Sequence, residues 1–468
     1  MARTGRAHRA GNIVTHETQE FGPRTARGNQ LQDQHAQKVA RVAEQLRSRK
    51  STAPLSREKR VVSHQVPKVH DKKHSDEKIS LVDFDEVIEI DPERGLCIAE
   101  PGVPFAELVD QTLPLGLVPI VVPELKTITL GGAVAGCSIE SMSFQYGGFH
   151  DTCLEYEIIT ARGDVLYCTP DNEHQLIFQM MHGSFGTVGI LSRLVFRLIP
   201  AKRFVHIVHE KHTSIDGYLE SIYSHFERRD VEFMDGIIHS NSELSLCVGG
   251  FTDSAPYTNR YDWLKVYHRS TATRSEDYFE TPHYFYRYDH GVTNVHPKSF
   301  LGRLLFGKFL GSSQILRIAE KARWLVLDDA RPDVTVDTFL PFSRLKEFLL
   351  WWEQDCGHFP LWCVPYKRVH DYEWLSDEYW QALHDRLMVD IAIYGMKQRD
   401  DTNYYRLLET KLAELGGVKT LISYNYYPEE EFWRIFNRKN FEAVKAITDP
   451  NNVFRNLYEK TCRAAMGR

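Results

Sequence analysis

From residue 127 to residue 148 the chain reads TITLGGAVAGCSIESMSFQYGG. Residues 131–143 hold three glycines, two alanines, one cysteine and three serines, where a packing helix would carry leucines. Side chains this small let another group come against the backbone. The Thr/aliphatic alternation of TITL predicts a strand leading into the stretch. Two readings are open beyond it. One is a plain glycine turn packed under a helix. The other is a cradle in which the amides around Gly131, Gly132 and Ala133 converge on an anion, beside the hydroxyls of Thr127 and Thr129. A phosphate loop closing on G-K-[ST] is absent, and GGAVAG lacks the G-x-G-x-x-G spacing of the dinucleotide fingerprint. A diphosphate suits the cradle.

A second glycine cluster, HGSFGTVGI, places Gly183, Gly186 and Gly189 at three-residue spacing before the long apolar strand of ILSRLVFRLIP. One such turn is common, but two about fifty residues apart in one unit of short strands favour the cradle. VIEID, LCIAEPG, VPIVVP and LEYEIITARGDVLYC read as further strands, the last folding back through an R-G-D turn. After residue 202 the texture changes to aromatic, amphipathic segments such as GYLESIYSHFERRD and SRLKEFLLWWEQD, which predict a second unit with helices. The fold class is α+β. At 468 residues the chain is long enough for about two to three domains. The boundaries we expect are a polar, Arg/Gly-rich tail over 1–33, a first domain over 34–202, a second over 203–428, and a helical C-terminal segment over 429–468.

A balance of 57 Lys+Arg against 63 Asp+Glu gives a net charge of -6, which excludes the electrostatic footprint of a nucleic-acid partner. The 8 cysteines form no C-x-x-C pair and follow no apolar leader, so free thiols in a reducing, cytoplasmic setting are expected. No window reaches the ~18 apolar residues of a membrane span, so any contact with lipid is peripheral.

VPELKTITLGGAVAGCSIESMSFQYGGFHDTCLEYEIITARGDVLYCTP followed by HGSFGTVGILSRLVFRLIPAKRFV resembles the FAD-binding domain of the vanillyl-alcohol-oxidase (PCMH) type, and within it the Δ24-sterol reductase branch. Bacterial flavoproteins that reduce a methylene-branched fatty acyl chain are similar in VVPELKTITLGGAV. The likeness continues through TPHYFYRYD, FPLWCVP, MVDIAIYG and YNYYPEEEFW. It implies a two-part FAD-binding domain, made of the N-terminal region and the C-terminal end, under an α/β cap. It implies that Thr127, Thr129, Gly131, Gly132, Ala133, Gly136, Ser138 and Ser141 hold the diphosphate and flavin ring. Tyr146, Gly147 and Asp151 would continue that wall, and Gly183, Gly186, Thr187, Gly189 and Ile190 would reach the adenosine and flavin side. One departure stands out. The glycine-rich first diphosphate loop of the family is replaced by REKRVVSHQVPKVH, which puts Ser63 and His64 where that loop belongs. FAD is expected to be non-covalent, with His64 the residue a histidyl link would use.

The resemblance implies reduction of a carbon–carbon double bond in a lipid, a sterol side chain or a methylene-branched acyl chain, with NADPH or NADH as reductant. That chemistry needs a hydride on one carbon and a proton on the other. Candidate proton donors are His283 first and Tyr426 second, with Tyr286, Arg287 and Glu140 also named. A flavin oxidase of a small alcohol or hydroxy acid, and a flavin-binding scaffold without turnover, are the alternatives. His70 with His74, and His206 with His209 and His212, lack the carboxylate or thiolate partners of zinc sites, so no metal is expected.

Overall fold

A computed structural model describes residues 26–61, 65–66, 68, 71–262, 265–289 and 333–466. The first helix, Ala26–Arg47, begins inside the stretch read as tail. It buries Val39, Val42, Ala43 and Leu46 at helical spacing, and it is held by an ionic clasp that composition does not reveal. His35 sits between Glu100 at 2.8 Å and Glu157 at 2.9 Å, and Lys38 reaches Glu100 at 2.8 Å.

Two sheets organise the rest. The smaller lies in the first two hundred residues and is built on the long strand Ile190–Pro200. That strand pairs antiparallel with Leu96–Ala99, Cys153–Ile159 and Leu117–Pro119. A two-stranded parallel ribbon, Leu55–Glu58 on Glu77–Ser80, stands beside it. Residues from the end of the chain return here. Leu55 donates its amide to Val453 O at 2.9 Å and Ala161 donates to Thr448 O at 2.8 Å.

The larger sheet has eight strands. Its two faces differ in kind because side chains alternate along each strand. One face, with Met234, Ile238, Leu246, Val336, Val389 and Ile391, is covered by helices that contribute Ile222, Leu345, Leu349 and Leu408. The helix Ile215–Arg228 shows the pattern: Ser214 caps it by accepting from Gly217 N, and Ile215, Tyr218 and Ile222 turn inward. The other face carries Val205, Phe233, Ile237, Phe279, Trp362, Val364 and Ala392, which share one apolar cluster with Val118, Leu130 and Met142 of the first unit. The sheet therefore sits as a cap over the small-residue stretch. All eight cysteines are free, and all but Cys137 are buried.

Candidate functional site

Under the cap, residues 130–136 form a short helix instead of continuing a strand. Thr129 commits to capping it, accepting from Gly132 N, so the alternating TIT does not extend as a strand and only Thr129 bridges, to Pro104. The anion nest read at Gly131, Gly132 and Ala133 is not free. Gly131 N donates to Pro101 O at 2.9 Å, Gly132 N to the Thr129 hydroxyl at 3.3 Å, and Ala133 N to Thr129 O at 2.9 Å. Gly131 is small because a Cβ there would stand 2.6 Å from Pro101 Cβ.

Gly136 has the opposite surroundings, since a Cβ built on it would meet nothing within 4 Å. Cys137, in the left-handed conformation at φ 55, ends the helix beside this open space. Cys137, Glu124, Tyr366 and Tyr394 are half-buried around it, with Cys137 within electrostatic reach of Tyr366 and Glu124 within reach of Tyr394. Asp337 lies there too, accepting a hydrogen bond from the Tyr394 hydroxyl at 2.7 Å.

The cap face above is unusually acidic for a sheet interior. Asp235 alternates with Phe233 and Ile237, Asp337 with Phe339, and Asp390 with Ala392. Asp390 accepts from Thr338 N at 3.0 Å. Burial pushes Glu124 up to about 8, with Asp337 and Glu140 adding and Arg287 opposing. Burial likewise raises Asp337 to about 6 and Asp390 well above the carboxylate range. Of the three, Glu124 holds its proton at neutral pH, whereas Asp337 is largely ionised there.

Asp235 belongs to a separate, charged joint. Arg287 Nη2 lies 3.1 Å from Glu140 and 2.9 Å from Asp235, with the guanidinium over Tyr284 at 4.2 Å and Tyr288 at 4.6 Å. Tyr288 OH and Trp362 Nε1 each donate to Asp235 at 2.8 Å. Burial alone would lower Arg287, and Asp235 and Glu140 more than offset it. The joint ties the wall to the cap, as do Met234 N to Ser141 O at 2.8 Å and Tyr284 OH to Ser141 Oγ at 3.0 Å.

Comparison with known proteins fits this geometry. A family model described as an FAD binding domain matches residues 34–169. This part of the chain is an FAD binding domain. The chain is 26% identical to the human Delta(24)-sterol reductase over 413 residues, covering 84% of this chain and 79% of that protein. It is 23% identical to the Arabidopsis thaliana Delta(24)-sterol reductase over 431 residues, 82% of this chain and 76% of that protein. Cytokinin dehydrogenase 6 of Oryza sativa subsp. japonica is similar over a shorter stretch, 27% identical across 158 residues, 34% of this chain and 30% of that protein. In coarse terms the chain is an FAD-dependent oxidoreductase.

The open space beside Gly136 leaves room for a group to come against the backbone wall there. Half-buried Gly136 and Ser138 stand along that wall with Cys137, and half-buried Thr127 precedes it. Ser141 does not present its side chain there, because its hydroxyl and carbonyl are taken by the cap. Tyr146 is 37% exposed, at the end of the short helix Ser143–Tyr146. Gly147, at φ 81, makes room for the Asp151 carboxylate, which accepts from Gly148 N at 2.8 Å and Tyr372 OH at 2.9 Å. Asp151 is therefore a brace between the domain and a cap loop. Gly183, Gly186 and Gly189 all have positive φ. Thr187 is buried with its hydroxyl on Ser184 O at 2.8 Å, and Ile190 opens the central strand. Ser63 and His64 lie outside the described residues.

Of the proposed proton donors, Glu140 and Arg287 come together in the joint just described. His283 is paired elsewhere: its side chain is 31% exposed and its Nδ1 lies 3.6 Å from Glu280. Tyr426 packs with Tyr424 and Tyr405 against the helix-covered face of the cap sheet, so the sheet separates it from the wall. Tyr286 is buried without a hydrogen-bond partner for its hydroxyl among the described residues, beside Lys126. Glu124, Asp337, Asp390 and Tyr394 escaped the sequence reading. Their signal was an acid inside an apolar strand, as in TVDTFL and MVDIAI.

Proposed function

We propose that the chain reduces a carbon–carbon double bond in a lipid, with FAD as the bound cofactor and NADPH or NADH as the reductant. One observation carries the reading: a half-buried carboxyl between the first domain and the acidic cap face, Glu124, that burial keeps protonated at neutral pH. Reduction of an isolated olefin needs an acid at that place, whereas oxidation of an alcohol needs a base. When bound, and once reduced by the nicotinamide, FAD would supply the hydride to one olefinic carbon. Glu124 then gives its proton to the other carbon. Tyr394 holds Asp337 by a hydrogen bond nearby, and the Asp337 charge adds to burial in keeping the proton on Glu124. The ring faces of Phe339, Tyr366 and Tyr394 supply the apolar surface a lipid tail needs. Similarity to the Delta(24)-sterol reductases across most of the chain supports a sterol side chain, and a methylene-branched acyl chain offers the same chemistry.

The test is anaerobic. The purified protein is mixed with NADPH or NADH while its visible flavin spectrum is followed, and then with an unsaturated lipid. Bleaching by a pyridine nucleotide, then fast reoxidation by the lipid and slow reoxidation by oxygen, is the expected result. Flavin that ignores both nucleotides, or that is reoxidised by oxygen with peroxide release, rejects the proposal.

A further inference from the structure

FAD carries a dianionic diphosphate, and the amides at residues 131–133 are spent inside the protein. Cations stand nearby instead. Residues 183–189 adjoin the short helix through Phe185 N on Ala135 O at 3.1 Å. Three alternate carbonyls of this loop each hold a positive side chain. Lys460 donates to Phe185 O at 2.6 Å, Lys445 to Thr187 O at 3.2 Å, and Arg57 to Gly189 O. Arg57 lies so close to Gly186 that a Cβ there would strike its guanidinium, and its other side faces the Phe454 ring at 5.0 Å.

Lys445 is neutralised by Asp449. Among the described residues, Arg57 and Lys460 form no ion pair with a carboxylate, although Asp449 and Asp71 attract them from further away. Both are half-buried and keep accessible surface. Burial, then Arg57, Lys73 and Lys59, drive Lys460 well below the usual lysine range, and burial brings Arg57 down to about 10. Enclosing two uncompensated positive charges costs several kcal/mol unless an anion joins them. The neighbouring segment, which has no glycine, cannot supply the backbone approach of a glycine-rich loop.

We propose that Arg57 and Lys460 grip the diphosphate of FAD, a charged clamp in place of a backbone nest. The proposal rests on the flavin assignment and is independent of the substrate. It predicts a cofactor affinity that depends on phosphate and on salt.

The experiment compares the full chain with Lys460→Met, Lys460→Arg and Arg57→Met, all as apoprotein. Flavin fluorescence gives the Kd of FAD and of riboflavin, which lacks phosphate, and thermal unfolding gives Tm. The expected result is a loss of FAD affinity of about 10- to 100-fold in the two methionine variants, with riboflavin affinity unchanged and Lys460→Arg close to the parent. The apoprotein Tm of Lys460→Met should not fall, because an uncompensated buried charge has been removed. In the unsubstituted apoprotein, ADP should raise Tm and compete with FAD. Equal losses for FAD and riboflavin would assign Lys460 and Arg57 to loop positioning and overturn the clamp. Unchanged FAD affinity, or no effect of ADP, would place the diphosphate elsewhere. An unsubstituted chain that binds neither flavin would overturn the flavin assignment and the clamp with it.

Discussion

Replacing Glu124 by Gln removes the proton donor while keeping its volume and its neutral hydrogen bonding. In the fold its carboxyl is raised from 4.5 to about 8, so roughly nine in ten are protonated at pH 7. The shift corresponds to about 5 kcal/mol between the two protonation states. The sign follows from linkage. The folded chain binds this proton up to about 8, while the unfolded chain releases it above 4.5. Stability contributed by this site therefore falls as pH rises between those values. Glu124→Gln has no such term. Its apoprotein should unfold at the same temperature as the parent near pH 4.5 and at a progressively higher one up to pH 8. Over the same range, lipid-driven reoxidation of the reduced flavin should be about 10²- to 10⁴-fold slower than in the parent, with FAD affinity unchanged. Thermal scans across pH and anaerobic stopped-flow measure both effects. A constant Tm difference, or reoxidation at the parental rate, would refute the argument that a buried neutral carboxyl drives the chemistry.

Arg287→Met leaves Glu140 and Asp235 buried without their cation, and should cost about 3–5 kcal/mol at pH 7. Thermal unfolding at pH 7 measures the loss. Glu157 is pushed up by burial but pulled further down by His35, to about 2 from 4.5, so it contributes about 3 kcal/mol above pH 4.5 that disappears as pH falls toward 2. Glu157→Gln should flatten the acid limb of the Tm–pH curve. Gly186→Ala, at φ +73 with Arg57 in the way of the new methyl, should cost about 1–2 kcal/mol in backbone strain alone. It should also weaken FAD more than riboflavin, read by flavin fluorescence.

The wall was legible because chemistry and packing leave the same mark there: Gly136 is small to leave a surface open, and Gly131 is small to let Pro101 in. Sequence alone does not separate those two causes. Nor does it say where amides point, and Thr129 turning its hydroxyl inward consumed the donors that looked free. The long strand after Gly189 and the helices Ile215–Arg228 and Leu345–Asp355 followed from periodicity. The start of the first helix did not, since what fixes it is His35 meeting acids 65 and 122 residues away. The acids of the cap were hidden for a similar reason. An aspartate within MVDIAI marks a buried charge, but which face it joins depends on pairing across an eight-stranded sheet. Glu124 owes its depth to the cap closing over its loop.

The joint at Glu140 and Ser141 also limits how the molecule can move. Wall and cap are riveted by a two-carboxylate ion cluster, a tyrosine and a main-chain bond, none of them reached by solvent. Prising them apart would expose charges that nothing else compensates, so this edge acts as a fixed spine. Any relative movement of wall and cap must therefore hinge on this edge and leave it closed.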